Sequence, residues 1–360
     1  MYRIAVIPGD GIGPEVIEQG LLVLQQAAQT WRFEHTLHRF PFGADHYLAT
    51  GELLPDKTLE EIRNMDAVYL GAIGDPRVER GVLERGIIGR LRWDLDMYIN
   101  LRPIRLYSET VCPLKDKTPK DVDMVVVREN TEDMYMGLGG FFKKGTIDEV
   151  ATAEAIYTRR GCERVIRYAF ELARTRPRKH LTLVDKANAI PAHDLWRRTF
   201  EAVSRDFPDV TTATAYVDAA AMWMIKNPEW IDVMVTSNLF GDILTDLGAM
   251  IQGGLGLAAS GNLHPGQVSL FEPIHGSAPR YAGQGKANPL AAILAVAMML
   301  DFLGEKRAAL HIEGAVESLF SDGTFVDIST SSGRTTAEYG RHVLDRMGET
   351  AGKVAQVSLS

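Results

Sequence analysis

Short apolar segments that alternate with helical patterns are the feature of this 360-residue chain that most restricts its fold. The apolar segments are typical of strands and lie at residues 3–7, 67–72, 124–128, 181–184 and 233–236. Helical patterns separate them, for example at residues 153–175 and 289–303. Strands that alternate with helices predict an α/β fold in which most strands pair in parallel.

Length and composition predict two globular domains. A chain of 360 residues exceeds the size of one typical hydrophobic core. Hydrophobic residues make up 46% of it and charged residues 24%, which is ordinary for a globular protein. The formal net charge of −8 argues against a general surface for nucleic acid or anionic membranes. An anionic substrate must therefore be held by local arginines.

Cysteine usage and the N-terminus indicate the compartment. The two cysteines, Cys112 and Cys162, fit a reducing environment and provide no disulfide framework. The chain enters a strand-like segment at once, without the basic and apolar regions of a signal peptide. Since no apolar segment is as long as a membrane span, we expect a soluble cytoplasmic protein.

A glycine-rich loop at residues 9–13 follows the first strand-like segment and opens a helix that ends near residue 28. The dinucleotide-binding fingerprint of a Rossmann domain is Gly-x-Gly-x-x-Gly, whereas the spacing here is Gly-x-Gly-x-Gly. The loop alone leaves two interpretations, a nucleotide loop and a tight strand-to-helix turn.

Two carboxylates four residues apart indicate a metal site. Asp242 and Asp246 follow the strand-like segment at residues 233–236, and on a helix this spacing places both on one face, as a divalent cation needs. Their position at a strand-to-helix switch favours a ligand site over a solvated helix face. Asp218 follows another strand-like segment, where a helix N-cap is the alternative role.

Arginines, a lysine and a tyrosine are further candidates. Arg92 and Arg102 flank a predicted helix over residues 91–100, and Arg128 ends a strand. Three guanidinium groups that converge would suit a polycarboxylate, although single arginines are usually solvated. A lysine near carboxylates and a metal, such as Lys186, can be a tuned base. A lone tyrosine, such as Tyr135, more often packs than donates a proton.

A glycine-rich loop with His275 and basic residues lies at residues 275–289 and is suited to a nucleotide phosphate. With this loop added, the segments resemble the β-decarboxylating dehydrogenases, the family of the isopropylmalate, isocitrate, homoisocitrate and tartrate/D-malate dehydrogenases. The resemblance runs from residue 7 to residue 289 and is most specific at residues 238–246 and 272–279.

The resemblance implies the family's two-domain α/β fold, which is not a standard Rossmann domain. Residues 1–98 and 254–360 would form a discontinuous cofactor-side domain. Residues 99–253 would form the second domain, with the dimer interface and a protruding arm at about residues 137–150. The expected assembly is a homodimer with shared active sites, with no nucleic acid or membrane as partner.

The resemblance also implies the catalytic roles. The three arginines would bind the carboxylates of a malate, and Tyr135 would protonate the enol that decarboxylation leaves. Lys186 of the partner subunit would assist Asp218 in deprotonating the hydroxyl. Asp218 of one subunit would join Asp242 and Asp246 of the other around Mg²⁺ or Mn²⁺. Hydride transfer to the nicotinamide would precede loss of CO₂.

Departures from the family pattern concern the cofactor. The resemblance implies a cofactor site at His275, Gly276, Ser277, Ala278, Arg280, Tyr281, Lys286 and Asn288. NAD-using members usually carry Asp and an aliphatic residue where this chain has Arg280 and Tyr281. Because Arg offers a fork to a 2′-phosphate, NADP is favoured and NAD remains possible, with a surface arginine as the alternative.

The substrate's variable group is expected near residues 81–92, which resemble the isopropylmalate enzymes best. Those enzymes have a Leu pair where this chain has Ile88 and Gly89, so we expect an apolar pocket walled by Ile88 and opened at Gly89. Arg85 shares a helical face with Arg92, but its long side chain can turn to solvent. The leading substrate is 3-isopropylmalate or a larger 3-alkylmalate.

Two alternatives stay open. The same chemistry on isocitrate, tartrate or D-malate is the first. A silent regulatory subunit is the second, and it is disfavoured because such subunits lose metal or base residues that this chain retains.

Overall fold

The computed structural model describes residues 1–357 and the side chains of residues 1–351. The chain groups into two compact units. The first contains Met1–Met97, Arg105–Pro119 and the residues from 249 onward, and the second contains Tyr98–Ile104 and Lys120–Gly248. Residues 105–119 thus group with the first unit, whereas the sequence-based division placed them in the second domain. The roles expected of the two domains stay predictions.

The strands are β1 Tyr2–Gly9, β2 His35–Arg39, β3 Ala67–Ala72, β4 Ile99–Arg105, β5 Asp123–Glu129, β6 Gly139–Phe142, β7 Val150–Ala153, β8 His180–Asp185, β9 Thr211–Tyr216, β10 Val233–Thr236, β11 Ala259–Leu263 and β12 Ser269–Pro273. The α-helices are α1 Gly13–Trp31, α2 Ala44–Thr50, α3 Asp56–Arg63, α4 Arg90–Asp94, α5 Arg159–Thr175, α6 Asp194–Ser204, α7 Val217–Lys226, α8 Asn238–Ile251, α9 Leu290–Phe302, α10 Lys306–Ser321 and α11 Thr336–Val357. A short π-helix, Glu84–Gly89, leads into α4. Among the described residues, no helix is long and apolar enough to cross a membrane.

The sheet of the first unit has the order β2-β1-β3-β12-β11. β1 pairs in parallel with β2 and β3, β12 is parallel to β3, and β11 runs antiparallel to β12. Helix α9 is apolar on every face up to Asp301, which is typical of a buried helix. It packs against α1, α10 and β12, so much of the core of this unit forms around it.

The sheet of the second unit has the order β4-β5-β10-β8-β9, in which β5, β10, β8 and β9 are parallel. Every residue of β10 is buried, as expected of a central parallel strand covered on both faces. The carboxyl ends of parallel strands lie at one edge of a sheet, where ligands usually bind. Arg128 on β5, Lys186 after β8 and Asp218 after β9 all occupy this edge.

Strands β6 and β7 form an antiparallel hairpin at the position where the sequence indicated an arm. The side chains of Phe141, Phe142 and Ile147 are exposed on it.

Two predicted helices differ from the structure. The predicted helix over residues 91–100 is wrong, because α4 ends at Asp94 and Asp96 adopts a left-handed conformation with φ 48°. Arg102 therefore lies on β4. The helical pattern at residues 153–175 begins later than expected, since Thr158 caps α5 by accepting a hydrogen bond from the backbone N–H of Gly161.

Candidate active site

Helix α8 carries Asp242 and Asp246 one turn apart, directly after β10, as their spacing predicted. Their side chains differ in exposure, with 38% of Asp242 and 67% of Asp246 accessible. A side-chain hydrogen bond stabilises this turn of the helix, since Thr245 Oγ1 donates to the carbonyl oxygen of Gly241 over 2.7 Å. One helix face thus presents two carboxylates at the carboxyl edge of the sheet.

Two of the three predicted arginines meet these carboxylates. Arg128 is buried, donates from Nη1 to Asp242 Oδ1, and donates from Nε to Asn238 Oδ1 over 2.9 Å. Arg102 is also buried, with Nη2 3.6 Å from Asp242 Oδ1 and Nη1 3.7 Å from Asp246 Oδ1. Two cations and two anions in a partly buried cluster are suited to exchange partners with a charged ligand.

A glycine makes room for Arg128. A Cβ atom at Gly241 would lie 2.5 Å from Arg128 Cγ and 2.6 Å from its Cβ, so any side chain there would displace the arginine. Packing against Arg128 therefore explains the glycine of the Phe-Gly-Asp sequence on α8, and the aspartate that follows it belongs to the site.

Tyr135 follows β5 in a short 3₁₀ turn, Asp133–Met136, and reaches the same cluster. Its hydroxyl donates to Asp242 Oδ2 over 2.5 Å, and the Arg128 guanidinium lies 5.2 Å from its ring centroid. Burial and the hydrogen bond to Asp242 raise the pKa of Tyr135 to about 12. The phenol therefore holds its proton at neutral pH, as a proton donor must.

The two carboxylates titrate differently. Burial raises the pKa of Asp242, but the charge of Arg128 and the hydrogen bond from Tyr135 outweigh it and leave the pKa below its ordinary value. The pKa of Asp246 is raised, mainly by burial. The charge of Arg102 lowers this pKa by less, and the negative charge of the neighbouring Asp242 raises it further. Asp242 is thus the firmly ionised member of the pair.

Lys186 and Asp218 form a separate pair. Lys186 Nζ lies 2.5 Å from Asp218 Oδ1, and this hydrogen bond lowers the pKa of Asp218. Asp218 is not the N-cap of α7, since Tyr216 occupies that position. Among the side chains of residues 1–351, no three His, Cys, Asp or Glu residues come together as metal ligands. A single chain therefore does not assemble the predicted set of three aspartates.

The loop at residues 275–289 docks on the first glycine loop. The backbone N–H of Ile12 donates to the carbonyl oxygen of Ser277 over 2.8 Å, and the N–H of Gly285 donates to Glu15 Oε2 over 3.0 Å. A Cβ atom at Gly11 would lie 1.9 Å from the oxygen of Ser277. Gly11 thus faces protein backbone, which favours the tight turn over the nucleotide loop.

The side chains of the loop at residues 275–289 differ in exposure and in hydrogen bonding. His275 Nε2 is buried without a hydrogen-bond partner in the described part of the chain, and burial lowers the pKa of the ring. Arg280 and Lys286 are exposed. The guanidinium of Arg280 lies 4.6 Å from the Tyr281 ring centroid and donates to its hydroxyl over 2.9 Å. Asn288 Oδ1 instead accepts from the N–H of Leu290 at the start of α9.

Comparison with known proteins shows the family to which this chain belongs. The family described as isocitrate/isopropylmalate dehydrogenase matches residues 3–343. The chain belongs to this family. It is therefore an enzyme, a decarboxylating dehydrogenase that uses NAD or NADP.

Relatives and solved structures cover nearly all of this dehydrogenase. The 3-isopropylmalate dehydrogenase of Thermobifida fusca is 48% identical over 350 residues, 96% of this chain and 98% of its own. That of Nocardia farcinica is 52% identical over 317 residues, 87% and 92% of the two chains. The crystal structure of isocitrate dehydrogenase from Methylococcus capsulatus has a TM-score of 0.85 at 38% identity, over 96% and 99% of the chains. The β-decarboxylating dehydrogenase of Thermococcus kodakarensis has a TM-score of 0.79 at 34% identity, over 98% of each. The predicted fold class is confirmed.

Arg92 of this dehydrogenase lies in the first unit. Its Nη2 donates to Glu272 Oε1 over 2.9 Å, and its Nε is buried without a hydrogen-bond partner among the atoms that the structure describes. Glu272 is buried and also accepts from Asn262 Nδ2 over 2.7 Å. Sequence reasoning did not single out Glu272 as a site residue, although it begins the Glu-Pro-Ile-His motif. The role of Arg92 in substrate binding stays a prediction.

Trp93 lies beside Gly89, where the sequence predicted an opening. Gly89 is buried, and a Cβ atom there would lie 2.7 Å from Cζ3 of Trp93. One helical turn separates the two residues, so the indole covers the space that the missing side chain leaves. Ile88 is half-buried and packs on the core of its unit, while Arg85 is exposed. Gly89 is thus matched to Trp93, and the wider substrate pocket expected there stays a prediction.

Proposed function

We propose that this dehydrogenase oxidatively decarboxylates a 3-substituted malate, with 3-isopropylmalate as the substrate and NADP as the acceptor. The observation that carries the proposal is the cluster on α8, where Arg102, Arg128 and Tyr135 surround two carboxylates. The names of the relatives in Thermobifida fusca and Nocardia farcinica support the substrate.

The carboxylates fit a divalent cation. Asp246 is mostly exposed, and both of its oxygens are hard donors of the kind that Mg²⁺ and Mn²⁺ prefer. We place Asp242 and Asp246 as ligands, with Asp218 of the partner subunit as the third. The bound ion would supply polarisation of the 2-hydroxyl and stabilisation of the enolate. Arg102 and Arg128 would then be available to orient the substrate carboxylates.

The protein's own groups would move two protons. Asp218, held ionised by Lys186, would accept the proton of the 2-hydroxyl as the hydride on carbon C2 leaves for the nicotinamide. Tyr135, whose pKa is about 12, keeps the proton that the enol takes up after CO₂ has left. Its 2.5 Å hydrogen bond to Asp242 holds the phenol at the carboxylate cluster.

The surface of α7 and α8 supports a homodimer with shared sites. Met222, at 69% exposure, lines an apolar cleft of about 610 Å³ with Trp223, Ile225, Trp230 and Leu247. A large exposed apolar surface of this kind marks an interface. Since α7 carries Asp218 and α8 carries Asp242, a two-fold contact through these helices would bring ligands from two chains together.

Complementation tests the shared site. The Lys186→Ala and Asp242→Asn variants should each be inactive, because each loses one half of the site. Once their subunits exchange, half of the dimers are mixed, and each mixed dimer has one intact site, so about a quarter of wild-type activity should return. Absence of any recovery, with exchange proven by differently tagged subunits, would contradict the shared site.

Cofactor choice is tested at Arg280. Wild-type enzyme should show a higher kcat/KM with NADP than with NAD, and Arg280→Asp with Tyr281→Ile should shift that ratio toward NAD by about ten- to a hundredfold, the worth of one charge-assisted contact. Arg341→Asp, an exposed charge reversal on α11, is the matched control and should leave the ratio unchanged. A wild-type preference for NAD would make Arg280 an ordinary surface residue.

Steady-state assays with a panel of malates test the substrate. We expect 3-isopropylmalate to have a higher kcat/KM than isocitrate, tartrate or D-malate, because a third carboxylate beside the apolar Ile88 would be buried without a partner. A higher kcat/KM for isocitrate would contradict the proposal. That result would favour the second activity of the family, which the Methylococcus capsulatus structure represents.

A further inference from the structure

We propose that Asp133, Tyr157 and His193 form a positioning network that holds Lys186 and Tyr135 in register with α8. The inference rests on the proposed function, since it assigns these residues to the same reaction. None of the three touches the carboxylate cluster directly in the hydrogen bonds described above. They act on the backbone segments that carry its reactive groups.

His193 holds the backbone of Lys186. The N–H of Lys186 donates to His193 Nδ1 over 3.2 Å, and the carbonyl oxygen of Lys186 accepts from the N–H groups of Ala189 and Ile190 over 2.9 and 2.8 Å. Both polar groups of this peptide segment are therefore engaged. The side chain of Lys186 projects from a fixed point toward Asp218.

The hydrogen bonds of the network have one consistent direction. Because Nδ1 of His193 accepts, the neutral ring carries its proton on Nε2. Nε2 lies 3.1 Å from the hydroxyl of Tyr157, which in turn donates to Asp133 Oδ1 over 2.8 Å. His193 is fully buried between the rings of Tyr157 and Phe240, with centroid distances of 4.9 and 5.2 Å. Every link thus has a donor and an acceptor.

Asp133 joins the network to Tyr135 and α8. It is buried, and its carboxylate also accepts from the N–H of Met134 over 2.9 Å and from the N–H of Leu239, in the first turn of α8, over 3.0 Å. Its backbone is left-handed, with φ 70°, which is unfavourable for a residue other than glycine. Strain of this kind persists where surrounding contacts impose it, often at functional sites. The turn that it begins carries Tyr135.

Removal of the Tyr157 hydroxyl breaks its two hydrogen bonds, to His193 and Asp133, and leaves the bond from the Lys186 N–H to His193 in place. Tyr157→Phe keeps the ring against His193 and the bond from Leu239 to Asp133. Small displacements of a reactive group lower the rate steeply, so kcat should fall by about ten- to a hundredfold. The KM for the malate should change by less than about threefold, because Arg102 and Arg128 are held by α8.

Tyr69→Phe is the matched control. Tyr69 is buried in the first unit, and its hydroxyl donates to a backbone carbonyl over 2.8 Å, so its loss costs stability in the same way. Both variants should unfold at lower temperature, but Tyr69→Phe should retain the wild-type kcat. His193→Asn, which keeps an acceptor for the Lys186 N–H, should retain more kcat than His193→Leu.

Hydrogen exchange at residue 186 gives a readout without substrate. The Lys186 amide should exchange faster in His193→Leu than in wild type, and Tyr69→Phe should leave its rate unchanged. An unchanged kcat in Tyr157→Phe, or an unchanged Lys186 exchange rate in His193→Leu, would overturn the network. Wild-type enzyme that turns over no malate of the panel would instead overturn the proposed function, and it is measured first.

Discussion

Asp246→Asn is expected to lower kcat about a thousandfold, because a metal ligand contributes several kcal/mol to the transition state and each 1.36 kcal/mol is tenfold in rate. The fold should be unaffected. Asp246 is mostly exposed and its ion pair with Arg102, at 3.7 Å, is long. Calorimetric titration with Mn²⁺ should show weaker binding by the variant, and thermal unfolding without metal should match the wild type.

Asp345→Asn is the control for this prediction. Asp345 is an exposed aspartate on α11, so its replacement changes the net charge equally. It should alter neither Mn²⁺ affinity nor kcat. Full activity of Asp246→Asn in the presence of excess chelator would rule out a metal role for α8.

Tyr135→Phe is expected to lower kcat by about a hundred- to ten-thousandfold, the range over which a positioned general acid contributes. Because the pKa of Tyr135 is about 12, loss of activity through ionisation of the phenol should begin only above about pH 11 in the wild type. Solvent-exchange measurement of protonation at the product's C3, alongside kcat, would locate the step that slows.

The control for Tyr135→Phe is Tyr339→Phe. Tyr339 is buried, and its hydroxyl lies 3.0 Å from that of Ser332, so the same atom is lost from a hydrogen-bonded tyrosine outside the site. Its kcat should equal that of the wild type. If Tyr135→Phe retained more than about a tenth of wild-type kcat, the phenol would be a packing group and another donor would be needed.

Local patterns predicted the parts of the site that local structure determines. Asp242 and Asp246 share a helix face because i and i+4 positions always do, and the segment before them is a strand because it is apolar and short. Arg102 was misplaced on the end of a helix, since the left-handed Asp96 that ends the turn after α4 has no clear signature in the sequence.

Long-range contacts explain the other differences. From the sequence, a glycine at position 89 predicts an opening, but in the structure the indole of Trp93 occupies the space where its side chain would lie. His193 and Tyr157 are 36 positions apart, so no spacing rule connects them. Gly11 needs its lack of a side chain because the oxygen of Ser277 lies against it. Such contacts depend on how distant segments pack, which periodicity does not encode.

The division of the chain also determines when each unit can fold during synthesis. The first unit needs strands β11 and β12 and helix α9, which follow the second unit's residues 120–248 along the chain. On a ribosome that adds about 5–20 residues per second, β3 and the apolar face of α1 wait roughly ten to forty seconds for these partners. The second unit can fold during this interval. The nascent first unit is thus the part of this enzyme that a chaperone would have to shield.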